Sequence, residues 1–170
     1  YVVSDSVFDH EFTGIRYLGQ FKSDDSRVKI ITWNLALKEN PTRYYCYFIH
    51  RSDKRSSPSL YRLVGESGYE APQLDAVYVQ DNWYGALYYG IKQFRFQRSD
   101  KYILLGIDYA SPDRTRKMIE ILGFDENGRL TFGAPALSRG GKKLMREIFE
   151  YSADGIVTLR LESKNLTGFF

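Results

Sequence analysis

The sequence predicts a mainly β protein, an antiparallel meander of about nine or ten strands with little helix. Aromatic side chains, which fit half-buried pleated surfaces, make up 16% of the 170 residues. Apolar or alternating runs recur roughly every 8 to 14 positions between turn residues, a spacing typical of antiparallel folds. The strands could form a barrel or a sandwich-like arrangement, and a small or incomplete β-propeller is the alternative.

The first strands are predicted where β-branched and aromatic residues cluster between polar segments. These runs are 28–35, 43–50 and 60–65, followed by the aromatic run 83–91. Farther along, Phe94 and Phe96 alternate with polar neighbours, which indicates one buried and one solvent-exposed face.

The later strands are predicted from burial pattern and turn chemistry. The run 101–109 is apolar on both faces, as expected of a central strand. Asn127-Gly128 between 118–124 and 129–132 is a strong hairpin signal, because both turn positions then accept positive φ. A last pair is predicted at 146–152 and 156–162, the second strand covering the core with Val157, Leu159 and Leu161.

Two segments also show features of a helix. Apolar residues at 144, 145, 148 and 149 have helical spacing, and 115–122 is compatible with a short helix. We favour a strand for both segments. A weak repeat of about 40 residues relates Tyr44-Tyr45 and the following Gly65 to Trp83-Tyr84 and Gly106, which keeps the propeller alternative open.

Composition excludes several classes of function. The chain has 24 Lys and Arg against 21 Asp and Glu, a net charge of +3 that does not indicate a nucleic-acid partner. The single Cys46 excludes an intrachain disulfide and a thiolate zinc cluster. No apolar run approaches the roughly 20 residues of a transmembrane helix. We expect one β-rich domain over 1–170, within a longer chain.

The residues with reactive side chains give little sign of catalysis. Cys46 lies among aromatic residues and is interpreted as a buried small hydrophobe. His10 and His50 lack metal-ligand spacing, so no metal or cofactor is predicted. Asp108 ends an apolar run, where a carboxylate could act as an acid or base or could cap a turn. Glu120 is interpreted as a solvent-side residue.

The aromatic run 83–91 is the candidate ligand surface. Strand alternation would place Trp83 on one face, and Tyr84 and Tyr88 on the other as a shallow aromatic platform. Tyrosine and tryptophan rings suit sugar stacking and protein contacts because each joins an apolar ring to a polar group. The predicted ligand-binding residues are therefore Trp83, Tyr84, Tyr88 and Asp108, with no catalytic residue assigned.

Several motifs resemble one group of exported bacterial proteins of unknown function. The resemblance is carried by Ser23-x-Asp25 with 29–34, by 83–89, by 102–108, by the hairpin 119–128 and by 149–152, and it extends from about residue 23 to about residue 162. It implies a periplasmic or extracellular protein and transfers no catalytic residue. Members of the group continue beyond the point at which this chain ends.

The sequence thus predicts a non-catalytic, exported binding or interaction domain, with glycan or cell-envelope material as partner. One alternative is a hydrolase using a carboxylate pair that includes Asp108, with Asp113 or Glu120 as the second member. The other alternative is a structural part of a larger envelope protein.

Overall fold

The computed structural model describes residues 5–36, 41–53 and 55–162, and these form a β structure with two short 3-10 helices. The helices are Asp5–Phe8 and Gln80–Asn82. The strands are β1 Gly19–Lys22, β2 Val28–Leu35, β3 Arg43–His50, β4 Ser59–Glu66, β5 Tyr78–Val79, β6 Leu87–Phe96, β7 Ser99–Ser111, β8 Arg114–Phe124, β9 Leu130–Phe132, β10 Leu137–Arg139, β11 Lys142–Leu144 and β12 Arg146–Ser152.

The strands form two main antiparallel sheets. The first sheet has the order β1-β2-β3-β4, a simple meander. The second has the order β5-β9-β8-β7-β6, and β12 pairs with the part of β8 that β9 leaves unpaired. A separate hairpin joins β10 and β11. Both main sheets are open, so the prediction of a mainly β antiparallel fold is confirmed in its sandwich-like form.

The core lies between the two sheets. Its buried residues from the first sheet are Val28, Ile30, Tyr44, Cys46, Phe48 and Leu63, and those from the second are Tyr88, Tyr102, Leu104, Met118, Leu122, Leu130 and Phe132. Each set follows the period of two that places alternate strand residues on one face. Cys46 is among them at 1% exposure, which confirms the predicted buried thiol, and burial raises its pKa.

The weak repeat in the sequence corresponds to two hairpins rather than to propeller blades. The first copy lies in the β3–β4 hairpin of one sheet, and the second leads through the β6–β7 hairpin of the other. Gly65 of the first copy approaches Gly85 so closely that a Cβ atom at residue 65 would lie 2.5 Å from the Gly85 nitrogen. The backbone of β4 therefore touches the backbone of the loop that leads into β6.

Most predicted strands are confirmed, including 28–35 and 43–50 at their observed bounds and the strand form of 115–122. The turn after β8 differs from the prediction, because only Gly128 has positive φ. The Asp125 carboxylate accepts hydrogen bonds from the Asn127 and Arg129 amides, which holds the turn in another form. Leu144 and Phe149 lie in β11 and β12, with a break at Met145.

The predicted pairing of 146–152 with 156–162 is wrong. β12 pairs with β8 instead, and 156–162 forms no strand. The segment nevertheless crosses the outer face of the second sheet, where the Tyr89 hydroxyl donates to the Leu159 carbonyl over 3.1 Å. Val157, Leu159 and Leu161 are half-buried while their neighbours are exposed. The predicted alternation of half-buried and exposed side chains is therefore observed, although the segment forms no strand hydrogen bonds with a partner strand.

The outer face of the first sheet is partly covered by the N-terminal segment. Val7 and Phe8 pack there against Ile31 and Ile49. The ammonium of Lys29 donates to the carbonyls of Val7, over 2.8 Å, and of His10. Burial lowers the pKa of Lys29. The segment then continues into the loop that precedes β1.

Candidate functional site

The four residues predicted to bind a ligand do not form an exposed platform. Trp83, Tyr88 and Asp108 are only 3%, 1% and 3% exposed, whereas Tyr84 is half-buried. The Trp83 indole donates to the Tyr88 hydroxyl over 3.1 Å, and both rings pack near Phe132. A ligand cannot stack on Tyr88 in this conformation.

The difference from the predicted platform has a local cause. β6 begins at Leu87, so 83–86 precede the strand and do not follow strand alternation. Gly85 has a φ of +86°, and a Cβ atom there would lie 2.8 Å from the Tyr44 ring. The chain turns at this glycine, and residues on both sides of it enter the space between the sheets.

Asp108 lies in a buried polar network at one end of the core. Its carboxylate accepts hydrogen bonds from the hydroxyls of Tyr44 and Ser67, over 3.1 and 2.6 Å. It also forms an ion pair with Arg116 on β8, at 3.2 Å. Burial and the nearby Asp108 charge raise the pKa of Tyr44, which keeps the phenol protonated as a donor.

Arg116 connects this network to the loop between β4 and β5. Its guanidinium donates to the carbonyls of Gly68, Tyr69 and Glu70, over 2.9, 2.6 and 3.3 Å. Its Nε atom donates to Glu150 over 2.7 Å. Because every nitrogen of the guanidinium is engaged, Arg116 secures the loop rather than offering a free cation.

A second buried pair corrects the interpretation of Glu120 as a solvent-side residue. Glu120 and Arg146 are both 0% exposed, and their charged groups are 2.8 Å apart. Arg146 also donates to the carbonyls of Gln73 and Phe132, the second over 3.1 Å. Burial acts to lower the pKa of Arg146, but the Glu120 carboxylate together with Tyr84 and Tyr78 outweighs it, and the net shift is upward. Tyr84 donates to Glu120 from the other side.

Tyr84 and Asp108 line one small cavity beside the Asp108–Arg116 ion pair. It has a volume of about 170 Å³ and is also lined by Glu66, Gly68, Glu70, Ala71, Pro72, Tyr78 and Arg116. Ligand pockets are usually about 300–1,000 Å³, so this cavity is small for one. Its best-placed polar groups bond to each other and to the loop, which fits a structural role.

The geometry gives no support to the hydrolase alternative. Asp108 pairs in register with Arg116, and Glu120 lies four residues farther along β8 on the same face. The main-chain positions of the two residues are thus about 13 Å apart along the strand, whereas the paired carboxyl groups of glycosidases are roughly 5–10 Å apart. Each carboxylate is instead paired with its own arginine. Asp113 lies in the exposed turn after β7 and accepts a hydrogen bond from Ser111.

A larger and more open depression lies on the outer face of the first sheet. We call it the aromatic groove; it has a volume of about 340 Å³ and is lined by Ile15, Arg16, Tyr17, Leu18, Trp33, Asn34 and Leu35. Trp33 stacks on Tyr45 with ring centroids 5.4 Å apart and an interplanar angle of 9°. Tyr47 meets Trp33 edge-on at 5.6 Å. The groove therefore continues into a row of half-buried aromatic rings.

Tyr17 is the most unusual residue of the aromatic groove. Its side chain is 89% exposed and its φ is +63°, in the left-handed region. Among the described non-glycine residues with positive φ, it is the only aromatic one. This conformation costs an L-residue roughly 1 to 2 kcal/mol. Backbone strain of this kind concentrates at binding and catalytic sites.

Sequence reasoning did not identify the aromatic groove. Trp33 belongs to a strand that is apolar on both faces, so the pattern did not distinguish its outer face from the core. Tyr17 lies outside every predicted strand. The available signal was the cluster of large side chains at 15, 17 and 18 immediately before Gly19.

Other chemistry is sparse in the part of the chain that the structure describes. No three His, Cys, Asp or Glu side chains converge there to hold a metal ion. His50 stacks on Phe124 at 3.8 Å. No helix in the described ranges is long and apolar enough to cross a membrane.

No protein-family model, no curated protein and no solved structure matches this chain.

Proposed function

We propose that this protein is a non-catalytic binding domain for glycan or cell-envelope material, and that the aromatic groove is its binding site. The observation that carries the proposal is the exposed Tyr17 ring, held in a strained left-handed conformation at the edge of the groove. A strained, exposed aromatic residue contributes little to the core, so a ligand contact is the better reason for it.

The composition of the groove suits a carbohydrate. Apolar and aromatic side chains form its walls, and Arg16 and Asn34 supply polar groups beside Trp33. Sugar rings present apolar C–H faces and hydroxyl edges, which match rings and hydrogen-bonding groups respectively. Its volume of about 340 Å³ lies within the usual range for ligand sites.

The residues that line the groove also favour binding over turnover. Among the described residues that line it there is no carboxylate, imidazole or thiol. Without a general acid or base, or a strong nucleophile, hydrolysis of a glycosidic bond lacks its usual groups. The resemblance to exported bacterial proteins supports a periplasmic or extracellular location, where such material is found.

The proposal is tested by measuring glycan binding to the whole chain and to two variants of Tyr17. Tyr17→Ala removes the ring, and Tyr17→Gly removes both the ring and the backbone strain, so the second variant should fold at least as well. Both should bind an oligosaccharide ligand at least about tenfold more weakly than the original protein, the equivalent of about 1.4 kcal/mol.

Tyr69→Ala is the matched control, since Tyr69 is 82% exposed but lies on the β4–β5 loop. It should bind as the original protein does. Isothermal titration with neutral and acidic oligosaccharides and with peptidoglycan fragments supplies the measurement. The proposal fails if none of them binds, or if both Tyr17 variants retain full affinity.

A further inference from the structure

Two arginines on the outer face of the first sheet have no side-chain partner among the residues that the structure describes. Arg16 lines the aromatic groove and Arg62 lies on β4, and both side chains are exposed. In the described part of the chain, neither guanidinium makes an ion pair or a hydrogen bond. By contrast, Arg43 on the same sheet is paired with Glu66 and is neutralised.

Strand register places aromatic rings between these two cations. Trp33 pairs with Tyr45, and on the next row Ile31 pairs with Tyr47, which in turn pairs with Arg62. Directly opposed residues of antiparallel strands point to the same face. Arg62 therefore stands beside Tyr47 on the face that carries Trp33, with Arg16 at the other end.

The resulting strip consists of Arg16, Tyr17, Trp33, Tyr45, Tyr47 and Arg62. It extends from the loop before β1 onto β2, β3 and β4. At about 4.8 Å between neighbouring strands, its part from Trp33 to Arg62 is about 10 Å wide. Val64, 46% exposed, pairs with Tyr45 and adds an apolar edge. A short oligosaccharide can extend along such a surface and reach both cations.

We propose that this strip binds an acidic glycan, with sugar rings on its aromatic residues and sugar carboxylates on Arg16 and Arg62. This inference rests on the proposed function and specifies its ligand class. A guanidinium presents two parallel N–H groups that match the two oxygens of a carboxylate. Uronic-acid polysaccharides and glycans with carboxyl substituents carry that group, whereas neutral glucans do not.

The test compares one oligosaccharide in two forms. Oligogalacturonate carries a carboxylate on each sugar, and its carboxyl-reduced derivative has the same rings without charge. We expect the acidic form to bind the whole protein at least about tenfold more tightly at low salt. The preference should shrink as ionic strength rises from about 0.01 M to about 1 M, since the Debye length falls from about 30 to about 3 Å.

Charge-removing variants locate the contact. Arg16→Gln and Arg62→Gln should each weaken binding of the acidic form about fivefold or more and leave binding of the reduced form unchanged. Lys143→Gln is the control, because it removes one positive charge from the distant, exposed β10–β11 hairpin. It should change neither affinity.

The outcomes separate this inference from the proposed function. Equal binding of both forms, or full affinity for oligogalacturonate in both arginine variants, overturns the acidic ligand but leaves a glycan-binding domain. Binding of the carboxyl-reduced form alone likewise overturns the acidic ligand and leaves a glycan-binding domain. Failure to bind either form or any other glycan overturns both proposals.

Discussion

Replacing Arg146 by methionine should destabilise this fold severely. Methionine keeps much of the side-chain volume but removes the guanidinium, which lies 2.8 Å from the Glu120 carboxylate. Both residues are 0% exposed, so Glu120 would be left as a buried charge with Tyr84 as its remaining side-chain donor. The carbonyls of Gln73 and Phe132 would also lose their donor.

The size of the effect follows from these losses. Breaking a buried ion pair by removing one partner costs about 3–5 kcal/mol, and an orphaned buried polar group costs about 1–3 kcal/mol. These costs are not additive, so we expect the free energy of unfolding to fall by about 4 kcal/mol. A domain of this size has about 5–15 kcal/mol in total. Arg146→Met should therefore lose a large fraction of its stability.

Urea unfolding followed by tryptophan fluorescence measures this change, since Trp83 lies in the same core. Arg43→Met is the matched control, because its ion pair with Glu66 is exposed and should contribute little to stability. The double variant Glu120→Leu with Arg146→Met removes both charges and should be more stable than Arg146→Met alone. The reasoning is refuted if Arg146→Met unfolds within about 1 kcal/mol of the original protein.

Two further predictions concern protonation and close packing. Burial, aided by Arg27, lowers the pKa of His50 to about 4. Its neutral form therefore stabilises the fold above about pH 6.5, and this contribution disappears as the pH falls to about 4. Between those pH values the free energy of unfolding of the original protein should fall by about 1–2 kcal/mol more than that of His50→Asn, after allowance for partial solvent screening. His10→Asn is the control. If the free energy of unfolding of all three proteins changes with pH in parallel, the assignment to His50 is contradicted. Gly65→Ala should lower the free energy of unfolding by at least about 2 kcal/mol, because the new Cβ atom would meet backbone atoms of Trp83 and Gly85 in the loop before β6. Gly90→Ala meets only side chains at ordinary contact distances. Thermal unfolding of both glycine variants measures this difference, and equal melting temperatures would show that this loop can move away from β4.

The fold could be predicted from the sequence because strand signals are local. The runs at β2 and β3 combine β-branched and aromatic residues between turns, and their bounds follow directly. The partner of β12 could not be predicted, because pairing with the preceding β8 depends on which edge β9 leaves free. Because 156–162 is the next segment along the chain, it was the predicted partner of β12, whereas in the structure β12 pairs with the earlier strand β8.

The site could be predicted less well, because burial of polar residues depends on both sheets. Glu120 is in phase with Met118 and Leu122, but Ile119 and Ile121 on the other face are equally apolar. The strand pattern therefore did not say which face was the core. A partner such as Arg146, 26 residues away, becomes visible only when β12 is placed beside β8.

The attachment of the β4–β5 loop has a consequence for how freely its sequence can change. Arg116 and Arg146 bind the main-chain carbonyls of Gly68, Tyr69, Glu70 and Gln73, not their side chains. Every amino acid supplies the same carbonyl oxygen, so this anchoring specifies the path of the loop and leaves the side chains of these four residues unspecified. Apart from Ser67, whose hydroxyl donates to Asp108, the loop is therefore a place where new surface chemistry can be introduced by substitution while its anchorage is kept.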